Sequence, residues 1–221
     1  MTTIPTVLQA NKKALRKSIQ ARLRDIPPSN IQEQSQAITA QILSSPFFSR
    51  CKSVSCYLSM PTGEVDTGSL VSEIQGAGKT LYVPRIDRTL PSQMNFLQIY
   101  SREDLQNLPS GTWGIKEPNE EWKGGKRMDV LGEACEDLDL ILVPGVAFDR
   151  SLSRLGHGKG YYDRFITNYT AKRPKPLLVA LALRQQIIDG EVPMGDHDWK
   201  MDMVVGPDGI ILANADTGAN E

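Results

Sequence analysis

Leu138-Asp139-Leu140-Ile141-Leu142-Val143-Pro144 is apolar at every position but Asp139 until the proline that ends it. A strand with one face in solvent alternates apolar and polar residues. An almost unbroken apolar run of this length instead marks a strand covered on both faces, as in a parallel sheet. Leu177 to Leu183 repeats the pattern. Three further strand candidates precede these runs: Ser53 to Leu58, Leu81 to Val83 before Pro84, and Met94 to Tyr100. Val204–Val205 and Ile210 to Leu212 flank Gly206-Pro207-Asp208-Gly209, whose turn chemistry predicts a hairpin.

Helical patterns lie between the strands. Residues 11–26 repeat Leu15, Ile19, Leu23 and Ile26 at helical spacing, and carry Lys12, Lys13, Arg16, Lys17, Arg22 and Arg24 with no acid before Asp25. This predicts a basic amphipathic helix stopped by Pro27–Pro28. A second helix is expected from a cap at Ser29 or Asn30, burying Ile31, Ile38 and Ile42. A third is expected from Asp66 to Ile74, closed by Gly76 and Gly78, and a fourth after Gly160. Residues 119–136 are polar and predict a surface excursion. The expectation is one α/β domain over residues 1–221, with three αβα layers around a mainly parallel sheet and the basic helix at its N-terminus. Ligands of such sheets sit beyond the carboxyl ends of the strands. That directs attention to Ser59 to Glu64 and Gly145 to Gly160.

Composition narrows the classes. The 221 residues are 40% hydrophobic and 23% charged, with 25 basic and 26 acidic side chains. A net charge of −1 gives no general attraction to nucleic acid or an acidic membrane surface. The longest apolar stretches fall far short of the roughly 18 residues of a membrane span. The three cysteines, Cys51, Cys56 and Cys135, form no CxxC pair and predict no disulfide framework. No apolar h-region with a cleavage site opens the given sequence, so secretion is not expected and the cytoplasm is the expected location; the basic N-terminus leaves the mitochondrion as the alternative.

The strongest chemical signal is Arg154-Leu155-Gly156-His157-Gly158-Lys159-Gly160-Tyr161-Tyr162-Asp163. Glycines at alternate positions let backbone amides turn inward, Arg154 and Lys159 add cations, and a helix start follows. Together these favour a phosphate. The stretch is neither a Walker A loop nor a dinucleotide fingerprint, since both spacings are absent. Asp163 either complements the helix dipole or serves a hard cation. Lys12 and Arg16 lie one turn apart on one helix face, a spacing shared by phosphate-binding helices and solvated ones. Adjacent Tyr161 and Tyr162 point to different helix faces, so only one is expected to reach a site.

These blocks resemble the 5-formyltetrahydrofolate cyclo-ligase family. The resemblance rests on Lys12-Lys13-Ala14-Leu15-Arg16; Tyr57-Leu58-Ser59-Met60 with Glu64; Trp113-Gly114-Ile115 with Pro118; Val143 to Asp149 running into Arg154 to Asp163; and Asp198-Trp199-Lys200-Met201-Asp202. It implies cyclisation of 5-formyltetrahydrofolate and its polyglutamates to 5,10-methenyltetrahydrofolate, using ATP and Mg2+. The formyl oxygen would be phosphorylated and then displaced by N10. It further implies that ATP meets Lys12, Lys13, Ala14, Leu15, Arg16 and the loop from Arg154 through Leu155 to Tyr162. Folate would meet Leu58, Met60, Glu64, Trp113 and the stretch from His157 to Tyr161. The implied catalytic set is Lys159, Tyr161 and Arg154, and Asp163 and Asp198 would hold the metal. A monomer with no nucleic-acid or membrane partner is expected. Two positions depart from the family's pattern: His157, where members often carry Arg, and the additional loop residue Gly63. The competing reading is a catalytically silent relative that binds folate or RNA.

Overall fold

The computed structural model describes residues 6–87, 89, 93–111 and 114–213. Six helices are described: α1 (Val7–Arg24), α2 (Pro28–Ser44), α3 (Pro46–Arg50), α4 (Gly68–Gly76), α5 (Arg102–Gln106) and α6 (Tyr161–Thr170). The strands begin with β1 (Ser53–Cys56), β2 (Thr80–Asp87) and β3 (Gln93–Ile99), followed by a small hairpin of β4 (Glu121–Trp122) and β5 (Gly125–Lys126). Next come β6 (Leu140–Val143), β7 (Ala147–Asp149), β8 (Arg154–Leu155), β9 (Leu177–Leu181), β10 (Ile187–Ile188), β11 (Met203–Gly206) and β12 (Gly209–Leu212).

The principal sheet runs β12-β11-β9-β6-β1-β2-β3. The five inner strands are parallel, and the antiparallel strands β3 and β12 close its two edges. The fold class is therefore the expected one, an α/β protein with a large, mostly parallel sheet. The apolar runs are continuous because alternate residues enter two different cores. Leu140, Leu142, Val179 and Leu181 pack with residues of α1, α2 and α4, including Ile19, Ile38 and Leu70. Ile141, Val143, Leu178 and Ala180 pack on the other face with Phe165, Ile166 and Tyr169 of α6. Asp139, the one interruption of the run, accepts the backbone N–H groups of Lys52 (2.6 Å) and Ser53 (3.0 Å), fixing the start of β1.

Several local expectations need correction. Helix α1 begins at Val7, where Thr6 Oγ1 caps the Gln9 N–H, and it ends at Arg24, so buried Ile26 lies beyond it. Helix α2 starts with Pro28 at its first position rather than at a Ser29 or Asn30 cap, because a proline's missing N–H costs nothing there. Helix α4 runs from Gly68 to Gly76, two residues later than expected at each end. Strand β2 continues through Pro84 to Asp87. It pairs with β1 only as far as Tyr82, so the proline leaves no partner strand on that side unsatisfied.

The 119–136 excursion is not wholly on the surface either. Arg127, Val130 and Cys135 are buried. Arg127 makes two bonds to Asp104, one at 2.6 Å, and both side chains are essentially inaccessible. Nearby carbonyls of Asn119 and Gln98 take further guanidinium N–H groups. A polar segment is thus pinned to the sheet by one buried, fully bonded ion pair.

Candidate active site

The chain order sets the position of the site. From β1 the chain moves to β2 on one side, and later to β6, β9 and β11 on the other. The reversal opens a crevice between β1 and β6 at their carboxyl ends. The loop after β1 supplies Leu58, Met60 and Glu64; the chain after β6 supplies Arg154 to Gly160. Both flank one cavity of about 470 Å³, whose wall includes Tyr57, Leu58, Met60, Glu64, Ile86, Met94, Ile115, Arg154, Lys159, Tyr161, Tyr162 and Asp163. A second opening, about 970 Å³, lies against the ends of α1 and α2 and shares Met60, Glu64 and His157 with the first.

Glu64 is 6% exposed, and its Oε1 accepts the Met60 N–H. Burial raises its carboxyl to about 7, with the Met60 N–H working in the opposite direction. A carboxylate held in a mostly apolar wall suits a flat heterocycle presenting paired N–H donors. The additional residue Gly63 is accommodated within the turn without removing Glu64 from the cavity.

The opposite wall is cationic. Arg154 lies on β8 rather than in an open glycine loop, and it is buried. It donates to Asp163 Oδ1 (2.7 Å) and to the Pro144 carbonyl (3.2 Å), while its guanidinium carbon lies 5.9 Å from the Tyr162 ring centroid. Its Nε and the Tyr162 hydroxyl are buried and find no hydrogen-bond partner among the described residues. The glycine loop follows, with Gly158 and Gly160 at φ +100° and +68°, conformations that L side chains rarely adopt. Arg16 Nε reaches across from α1 to the Gly156 carbonyl (2.8 Å), and a Cβ on Gly158 would lie 3.4 Å from the Arg16 guanidinium carbon. A permanent cation therefore already stands over the loop beside His157. Desolvation, Arg154 and Arg16 all lower the imidazole's pKa from its ordinary value.

Asp198 faces α1. Its Oδ2 pairs with Lys12 Nζ and accepts the Gly195 N–H at 2.6 Å. Burial pushes this carboxyl up, but Lys12, the Gly195 N–H and Arg154 together hold it below the usual carboxylate range. Asp163 Oδ1 takes Arg154 and also the Trp199 N–H at 3.1 Å. The structure therefore brings Lys12, Arg16, Arg154 to Asp163 and Asp198 into one neighbourhood, although α1 and Asp198 lie at opposite ends of the chain.

Two expectations fare differently. Both Tyr161 and Tyr162 line the cavity, because the helix presents its end, rather than one face, to it. Trp113 lies outside the described residues. Sequence reasoning missed Ile86 and Met94, since ending β2 at Pro84 removed the strand extension that carries Ile86 to the cavity. Alternation along Met94 to Tyr100 could have flagged Met94 as inward-facing, but not toward which site.

The sequence profile of the 5-formyltetrahydrofolate cyclo-ligase family matches residues 8–207. A probable 5-formyltetrahydrofolate cyclo-ligase of Schizosaccharomyces pombe is 35% identical over 211 residues, covering 92% of this chain and 98% of that protein. The mitochondrial 5-formyltetrahydrofolate cyclo-ligase of Arabidopsis thaliana is 36% identical, covering 90% of this chain and 75% of its own length. Among solved structures, the NMR structure of Aquifex aeolicus 5,10-methenyltetrahydrofolate synthetase matches with a TM-score of 0.73 at 30% identity, over 95% of this chain and 96% of the other.

Proposed function

This chain belongs to the 5-formyltetrahydrofolate cyclo-ligase family and is an enzyme of that kind, and from that premise we propose that it closes 5-formyltetrahydrofolate to 5,10-methenyltetrahydrofolate at the expense of ATP, releasing ADP and phosphate. The observation that supports this reading is the pairing of Glu64, a buried carboxylate, with the Arg154–Lys159 cations across one 470 Å³ cavity. One wall suits the folate ring, and the other suits transferring phosphate.

The chemistry requires both. A formyl oxygen on nitrogen is a poor leaving group. Transfer of a phosphoryl group to it gives an N5-iminium phosphate; N10 then attacks the formyl carbon, the C–O bond breaks and phosphate departs as N10 loses its proton. The protein's task is to position the reactants and to stabilise charge on the phosphoryl oxygens. Glu64 holds the pterin N–H edge, with Leu58 and Met60 beside it. Arg154 and Lys159 meet phosphoryl oxygens, while Tyr161 offers a hydroxyl within the same wall. Lys12, Lys13, Ala14, Leu15 and Arg16 bring α1 against the nucleotide, with the backbone of the glycine loop opposite.

Magnesium fits the residues present. Asp163 and Asp198 commit Oδ1 and Oδ2 respectively to their cations, leaving each carboxylate's second oxygen outside those bonds. Among the described residues no group of three or more metal-binding side chains occurs, in keeping with an ion held by one or two carboxylates plus phosphates. Such an ion supplies charge neutralisation for the phosphates. The proposed acting unit is the monomer, and the proposed substrates include the polyglutamyl forms. No helix among the described residues is long and apolar enough to cross a membrane, and the proposed location is the cytoplasm.

Near-ultraviolet absorbance tests the reaction, because the methenyl product has a more extended conjugated system than its formyl precursor. Product is expected only when ATP and magnesium are both supplied. Product formed without ATP, or none from folded protein that binds the folate, would overturn the proposal.

A further inference from the structure

The two carboxylates assigned to the metal are each held by a cation assigned to the nucleotide. Lys12 Nζ is bonded to Asp198, and Arg154 Nη2 to Asp163 at 2.7 Å. All four side chains are largely shielded, with exposures of 16% and 23% in the first pair and 4% and 16% in the second. Each carboxylate oxygen is further fixed by a backbone N–H, from Gly195 and Trp199 respectively.

We propose that these two ion pairs are an exchange latch that makes nucleotide and divalent cation bind dependently on each other, an inference that rests on the nucleotide–metal reading of this site. For Lys12 and Arg154 to turn to phosphate oxygens, Asp198 and Asp163 must be left buried without their countercharges, which is costly. A divalent cation removes that cost by taking over both carboxylates. Metal alone faces the mirror problem, because on the second oxygen of each carboxylate its charge would stand beside Lys12 and Arg154 with no phosphate to offset the repulsion. Only joint arrival satisfies all four groups, and linkage requires each ligand to raise the other's affinity by the same factor. Asp196, exposed and only two residues from Asp198, forms none of the ion pairs seen among the described residues and supplies a control for general charge effects.

The test is equilibrium binding of ATP, by titration calorimetry, to the full chain in EDTA and in magnesium. For the wild-type chain the two conditions should differ by about 10–100-fold, within the usual span of coupling between sites. In the double variant Asp163→Asn/Asp198→Asn, affinity in EDTA should rise by about tenfold or more, so that the dependence on magnesium largely disappears. Asp196→Asn should leave both values within about twofold. Carboxylates that acted only as metal ligands would lower the affinity in magnesium and leave the EDTA value unchanged. That result, or a gain in EDTA matched by Asp196→Asn, would overturn the latch. Single variants, each checked by thermal unfolding, keep the test open should the double variant fold poorly. Formation of methenyl product by the wild-type chain is measured separately. A chain that turns over normally while its ATP affinity in EDTA is unmoved by the variants loses the latch and keeps the proposed function.

Discussion

Replacing Lys159 with alanine is expected to lower kcat by about 10²–10³-fold, the usual cost of removing one preorganised group aimed at charge that develops in the transition state. The structure makes this substitution a clean probe. Lys159 is exposed on the rim of the cavity, and its ammonium forms none of the ion pairs found among the described residues. Its carbonyl accepts Arg164 Nη1 at 3.0 Å, a bond that alanine retains. Thermal stability and the Kd for folate should therefore change little while turnover collapses. Lys159→Arg should recover part of the loss, because a cation remains but its geometry differs. Steady-state absorbance assays alongside thermal unfolding decide the matter; a kcat within about threefold of wild type would remove Lys159 from the catalytic set.

The second large effect has opposite signs for binding and for stability. Glu64→Gln should weaken folate binding by about 10–100-fold, the cost of trading a charge-assisted hydrogen bond for a neutral one. Glutamine still accepts the Met60 N–H, so the loop is retained. Burial raises the Glu64 carboxyl to about 7 from its ordinary 4.5. The folded protein therefore holds this proton more tightly than the unfolded chain does. Stability from this group is fully present below about 4.5 and is lost as pH rises through about 7. At pH 8 the ionised carboxylate is a liability, and Glu64→Gln should be the more stable protein by at most about 3 kcal/mol. Binding runs the other way: N–H donors of the pterin prefer the carboxylate, so wild-type Kd should weaken below pH 7, and the glutamine variant should show a flat profile. Urea unfolding at pH 5 and pH 8, with folate titrations from pH 6 to 8, measures both. A wild-type Kd independent of pH, together with no stability gain in the variant at pH 8, would contradict the role given to Glu64.

The fold was legible in the sequence where burial left a periodic trace. Leu140 to Val143 and Leu177 to Leu181 read as doubly covered strands because successive residues feed two cores. Topology then turned two loops distant in the sequence into neighbours at the β1/β6 crevice. The glycine loop stood out as a candidate phosphate site through its own composition. Glu64 did not, because a lone glutamate after a strand looks like any solvent charge until its burial is known. Lys12 and Asp198 lie 186 residues apart, and no spacing rule links residues at that distance; only their matches to a family's motifs placed them in one site. Arg154 was misread as a loop cation because a two-residue strand leaves no periodic signal, and Arg127 was missed because its buried partner Asp104 sits on a five-residue helix in another part of the chain.

The central claim is that the formyl oxygen is carried off on phosphorus. Oxygen-18 placed in the formyl group of 5-formyltetrahydrofolate follows that oxygen directly. After turnover with ATP and magnesium, mass analysis of the released inorganic phosphate should find one labelled oxygen per methenyltetrahydrofolate formed, with none in the solvent water. Unlabelled phosphate, with the label recovered in water, would contradict the account.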